Sequence, residues 1–118
     1  MEKQFLDFLG DSSEDRMRCV FETRQGEVVD VNVVQYETFL RGKWVPVVRY
    51  DTAHGFFHRD VYLLAGKKRL KEFVYRTTLG EALTYAIQDI RLNWETYKST
   101  FLEKKNDKKN GKEKFQKE

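Results

Sequence analysis

His54 and His58 are the two histidines of the chain, and both fall within residues 49–60, Arg-Tyr-Asp-Thr-Ala-His-Gly-Phe-Phe-His-Arg-Asp. Arg49, Tyr50, Asp51, Arg59 and Asp60 share the stretch. It therefore gathers groups that move protons near neutral pH, bind phosphate or ligate metal. The most coherent chemistry for this set is a metal-free cleavage of a phosphodiester. One imidazole would take the proton of a ribose hydroxyl, the other would protonate the leaving oxygen, and Arg49 or Arg59 would stabilise the charged transition state. Asp51 or Asp60 would orient an imidazole. On this reading His54, His58 and Asp51 form the catalytic set, Arg49, Arg59 and Tyr50 contact substrate, and neither a cofactor nor a metal is expected.

The same residues admit two other readings. In the first, the cluster is structural: an Asp side chain caps a turn, Arg pairs with Asp, and His54 satisfies buried backbone groups. The protein is then a non-catalytic interaction module that binds a protein partner or a second copy of itself as a homodimer. In the second, Asp51, His54, His58 and Asp60 ligate a metal for hydrolysis. Were residues 54–58 extended, the histidines would stand about 13 Å apart, too far for one ion. The turn at Gly55 must fold them together, and no HExxH or CxxC spacing supports the metal.

The elements that must position these side chains are mostly strands. Residues 17–23 read as a strand with Cys19 and Phe21 on one face. In residues 28–40, Val29, Val31 and Val33 alternate with Asp30 and Asn32 as in a half-buried strand, and the parity blurs at residues 34–36, which predicts a bulge. Arg41-Gly42 closes a hairpin onto residues 43–51, and Pro46, the only proline, belongs at an edge or bulge. Arg49 and Asp51 then share one strand face while Tyr50 takes the other. Residues 61–64 and 69–75 form a second hairpin about Ala65-Gly66-Lys67-Lys68. If the first of those strands begins early, His58 and Asp60 share a face.

Beyond Tyr75 the period changes. Leu83, Ile87, Ile90, Trp94, Tyr97 and Phe101 make one helical stripe, with Ala82 and Ala86 allowing close approach to a sheet. Thr78 and Glu81 read as the two halves of a capping box. The spacing predicts a helix over residues 79–102, about 36 Å long. Residues 1–15 read as a short helical turn or a loosely attached arm that docks the aromatics among Phe5, Leu6, Phe8 and Leu9 on the body. The expected fold is α+β: a curved antiparallel sheet of about five strands with one long C-terminal helix packed across it, in a single domain over residues 1–102.

Composition narrows the function. Residues 1–102 carry 15 Lys+Arg and 15 Asp+Glu, whereas residues 103–118 carry seven lysines against four acidic residues, the whole excess of +3. The last 16 residues thus read as a lysine-rich flexible tail, and the body lacks the positive field of a general nucleic-acid binder. Tyr36, Trp44, Phe56, Phe57, Tyr62 and Trp94 accordingly read as packing residues rather than base-stacking ones. No apolar run approaches the roughly 20 residues that span a bilayer, and no membrane partner is expected. One cysteine, Cys19, excludes an internal disulfide and suits a reducing, cytoplasmic compartment.

The run Val47-Val48-Arg49-Tyr50-Asp51-Thr52-Ala53-His54-Gly55, then His58-Arg59-Asp60 and a C-terminal helix, resembles a family of small uncharacterised prokaryotic proteins carrying a domain of unknown function. More distantly, a strand ending in Arg-x-Asp followed by two histidines is similar to TumE-type toxins of toxin–antitoxin pairs. That resemblance implies a small RNA-targeting α+β protein, an antitoxin-like partner, and a site at Arg49, Asp51, His54 and His58.

Overall fold

The structure is a computed structural model that describes residues 1–64, 68–73 and 78–103, with side chains described for residues 1–53, 55–64 and 78–103. Six strands follow one another: β1 (Glu2–Phe8), β2 (Asp15–Arg24), β3 (Glu27–Leu40), β4 (Lys43–Asp51), β5 (His58–Tyr62) and β6 (Lys68–Phe73). A single 3-10 turn, Ala53–Gly55, joins β4 to β5, and one helix, α1 (Leu79–Leu102), closes the described part of the chain. Each strand pairs antiparallel with the next, so spatial order equals chain order. The expected α+β class and the helix bounds hold.

The arm is where sequence and structure part. Residues 2–8 are not a helical turn but an edge strand, in register with β2 from Glu2 opposite Glu22 to Phe8 opposite Arg16. Five residues with four apolar side chains carry no clear period. Pairing with β2 lets Phe5 face the core while Leu6 and Phe8 remain 45% and 54% exposed. Gly10 and Ser13, at φ +69° and +64°, reverse the chain into β2. The other turn of interest, residues 65–67, lies outside the described residues, as does the lysine-rich tail beyond residue 103.

Period-two alternation divides the sheet into two faces. Met17, Cys19, Val34, Tyr36, Val48, Tyr50 and Val61 are buried and, with α1, make up the core. The helix contributes Ala82, Leu83, Ala86, Ile90 and Phe101, as its stripe predicts. Each large aliphatic buried in this way stabilises the fold by roughly 1.5–3 kcal/mol. Tyr36 meets Trp94 edge-on at 6.0 Å, and Tyr50 lies between Phe57, stacked at 5.4 Å, and Tyr85, edge-on at 6.1 Å. At the start of α1, Thr78 Oγ1 accepts from the Glu81 N–H and the Glu81 carboxylate accepts from the Thr78 N–H, the predicted capping box.

Bulges interrupt the β2–β3 and β3–β4 pairings. Register shifts fall in β3 opposite Val20/Phe21 and Glu22/Thr23, upstream of residues 34–36. A third falls between β3 and β4 where Glu37 meets Pro46. Pro46 also lies beyond the reach of β5, which pairs only with Val48–Asp51. A missing N–H is tolerated there on both counts.

Gly10 ties the β1–β2 turn to the helix. A Cβ at this position would lie 2.8 Å from Trp94 Cζ2, on a backbone at φ +69° that side chains disfavour. Gly10→Ala is expected to destabilise the fold by about 1–3 kcal/mol in chemical denaturation, with an unchanged slope.

Candidate functional site

The turn after β4 is assembled from its own side chains. Asp51 Oδ1 accepts the Ala53 N–H at 2.9 Å, which starts the 3-10 turn, and Gly55 N–H donates to the Thr52 carbonyl at 3.2 Å. Thr52 anchors the turn to β3: its N–H and its hydroxyl both donate to the Val31 carbonyl, at 3.0 and 2.9 Å, and the hydroxyl also bonds the Asp30 carboxylate. Gly55, at φ +85°, turns the chain back. The result is a tight register in which Asp51 opposes His58 and Arg49 opposes Asp60.

Directly opposed residues of an antiparallel pair share a face. Arg49, Asp51, His58 and Asp60 therefore meet on the face away from α1. His58 Nε2 stands 3.3 Å from Asp51 Oδ1 and 3.5 Å from Asp60 Oδ2, and its Nδ1 is 3.3 Å from the Phe56 carbonyl. Arg49 Nε donates to Asp51 Oδ2 at 2.8 Å. His58, Asp51 and Asp60 are only 2%, 5% and 3% exposed, while the Arg49 side chain is 36% exposed. His54 lies within the 3-10 turn, and its side chain is outside those described.

Tyr50 and Arg59 are on the opposite face, against the helix. Tyr50 and Tyr97 both donate to Asp89 Oδ2 at 2.5 Å, and Arg59 Nη1 donates to the Tyr97 hydroxyl at 2.7 Å. Burial, then the bond to Asp89, pushes both phenols well above the usual tyrosine range, so neither ionises at any ordinary pH. The sheet thus separates the expected substrate contacts Tyr50 and Arg59 from Arg49.

The polar face extends further than the 49–60 stretch. Glu37 accepts from Arg16 Nε at 2.8 Å, Arg18 Nε at 3.1 Å and Gln35 Nε2 at 2.6 Å, and Gln35 Oε1 in turn faces Arg49 Nη1 at 3.5 Å. One polar ladder therefore crosses β2 to β5. Gln35 and Glu37 were legible as polar residues two apart inside an apolar strand; their partners on β2 needed the register. Asp89, which gathers Tyr50 and Tyr97, sits within the helical stripe, where one acidic residue gives little signal.

Aromatic side chains extend this same face toward the β3–β4 hairpin. Trp44 packs edge-on against Phe39 at 5.2 Å and tilted against Phe8 at 6.3 Å, with the Arg16 guanidinium 3.9 Å over its ring. Phe8 and Phe39 remain 54% and 41% exposed. A cleft of about 370 Å³ at the far end of β4, lined by Leu40, Val45, Pro46, Tyr62, Leu64 and Phe101, contains none of the histidine cluster.

A family model described as "Domain of unknown function (DUF7718)" matches residues 1–107. The chain belongs to that family. The match takes in the whole sheet and helix, including β1, whose residues had read as a loose arm. Neither a curated protein nor a solved structure matches the chain. No described helix is long and apolar enough to cross a membrane.

The carboxylates of this domain make its stability sensitive to acid. Burial raises the Glu37 carboxyl, but the bonds from Arg16, Gln35 and Arg18 outweigh it and hold the group below the usual glutamate range. Asp15 is likewise raised by burial and lowered further by Tyr36, Lys98 and Thr38, with Tyr36 at 2.6 Å and Lys98 at 3.0 Å. Both contributions are complete above the unfolded-chain values of about 4 and are lost as pH falls through the lower folded-state values. Denaturation midpoints are expected to be flat from about pH 7 to 5 and to drop below about pH 4. Glu37→Gln should lower the plateau and shrink the drop.

Proposed function

We propose that this chain is a non-catalytic interaction module whose partner is a second copy of itself, joined through β1. The observation that carries this reading is the edge strand. Among the described residues β1 is an outer strand of the sheet, with Leu6 and Phe8 exposed on it. Its sequence, Glu-Lys-Gln-Phe-Leu-Asp-Phe, is self-complementary when a second β1 runs antiparallel about Phe5. Lys3 then opposes Asp7 of the other copy, twice by symmetry, beside the Arg91 that already pairs with Asp7 at 2.5 Å in each chain, and Gln4 opposes Leu6. Such an isologous pairing satisfies both exposed edges and makes the two polar faces continuous.

The neutral body favours a protein over a nucleic acid as occupant. Arg16, Arg18 and Arg49 are each paired with Glu37 or Asp51, so the polar face offers little surplus positive charge. Trp, Phe and Arg on a sheet face are also the residue types enriched at protein interfaces. The toxin-like, RNA-processing reading fares less well on burial: a general acid or base must reach its substrate, and His58 is 2% exposed between two carboxylates.

Light scattering and sedimentation of the full chain test the dimer. The mass of two chains is expected at micromolar concentration, and Lys3→Asp, which turns two attractions into repulsions, should weaken association roughly tenfold. A single-chain mass throughout would overturn it. Catalysis is tested separately with labelled single-stranded RNA in EDTA. The RNA is expected to stay intact; cleavage that disappears in folded His54→Ala or His58→Ala would restore the acid/base site, with Arg49 as its phosphate contact.

A further inference from the structure

We propose that Asp51, His58 and Asp60 form a binding site for one divalent transition-metal ion of the zinc type, which locks the β4–β5 turn. The proposal is independent of the dimer. One ligand atom from each residue lies within 4.8 Å of the others, all three residues being buried. Burial on both strands and the opposed register of Asp51 and His58 fix the three side chains before any ion arrives.

The orientation of the His58 ring shows what the cluster offers a cation. Its Nδ1 faces the Phe56 carbonyl at 3.3 Å, an acceptor that suits an Nδ1–H. In the neutral ring Nε2 then presents a lone pair toward Asp51 Oδ1 and Asp60 Oδ2. An ion at that point would be reached by one imidazole nitrogen and two carboxylate oxygens. An Nδ1–H held by a backbone carbonyl is also the arrangement that orients metal-ligating histidines.

The distances suit a metal ion. Charge-assisted N–H···O bonds are about 2.7–2.9 Å long. The two separations from Nε2 are 3.3 and 3.5 Å, both too long for that and nearly equal. Ligand atoms at about 2.0–2.1 Å from a tetrahedral zinc ion stand about 3.3–3.4 Å apart. Imidazole nitrogen together with carboxylate oxygen selects transition metals over magnesium or calcium. Arg49 engages Oδ2 of Asp51, while Oδ1 accepts the Ala53 N–H at 2.9 Å and turns its second lone pair toward His58. The burial that makes the site rigid also keeps a substrate away from it, so the ion is structural: it ties the end of β4 to the start of β5.

The test uses the full chain, stripped with a chelator and then dialysed against zinc. About one ion per chain is expected by elemental analysis, with a higher thermal midpoint than the stripped protein. Cobalt(II) in place of zinc should give a visible absorption band typical of few-coordinate nitrogen and oxygen ligands. Both signals should vanish in Asp60→Asn, which keeps shape while removing the charge. Nitrogen NMR of the unmodified chain supplies a readout that no variant can spoil: zinc should shift His58 Nε2 strongly while Nδ1 stays protonated. Failure to retain an ion, binding that Asp60→Asn and His58→Gln leave unchanged, or an Nε2 resonance indifferent to zinc would each overturn the proposal.

Discussion

The strand register, locked by covering one sheet face with α1, is the constraint on which everything else depends. Tyr36, Val48, Tyr50 and Val61 must face the helix for the core to close, and a slip of one residue would send each of them to the other side. That requirement fixes where the intervening residues go. Gln35, Glu37, Arg49, Asp51, His58 and Asp60 are on the polar face because their neighbours are in the core. The polar ladder is in this sense a by-product of hydrophobic packing, which stabilises far more than any one of its ion pairs.

This division explains why a dense run of reactive residues in sequence becomes two separate assemblies in space. Arg49, Asp51, His58 and Asp60 gather on the face away from the helix. Tyr50 and Arg59 join Tyr97 and Asp89 beneath the helix, in a network that cross-links sheet to helix. The first assembly is buried yet rich in charge, which suits a positive species held within it. The second consists of phenols kept protonated around a carboxylate, which suits structural bonding.

Exposed apolar side chains lie elsewhere: Leu6 and Phe8 on β1, Phe39 beside Trp44, and Leu92 on α1. An edge strand with unpaired backbone and apolar side chains is a liability unless something covers it. Here the same strand carries one basic and two acidic residues, with Lys3 and Asp7 equidistant from Phe5. Charge placement, rather than apolar area alone, is what gives the edge a preferred orientation for a partner.

The sequence by itself determined the helix with its bounds and cap, the strands from β2 to β4, the placing of Pro46 at an edge or bulge and the opposite facing of Arg49 and Tyr50. These follow from local periods and capping chemistry, which neighbouring residues contain in full. It left β1 unread, because five mostly apolar residues have no period until β2 supplies a partner. It also grouped Arg59 and Tyr50 with Arg49 as substrate contacts although alternation already put Tyr50 on the other face, and the side taken by Arg59 needed the β4–β5 register. Only the tertiary structure decided that Asp51, His58 and Asp60 converge, that Arg16 and Arg18 share Glu37, and that Asp89 collects Tyr50 and Tyr97. Those contacts depend on cross-strand register and helix docking, and both are set by long-range burial of the core.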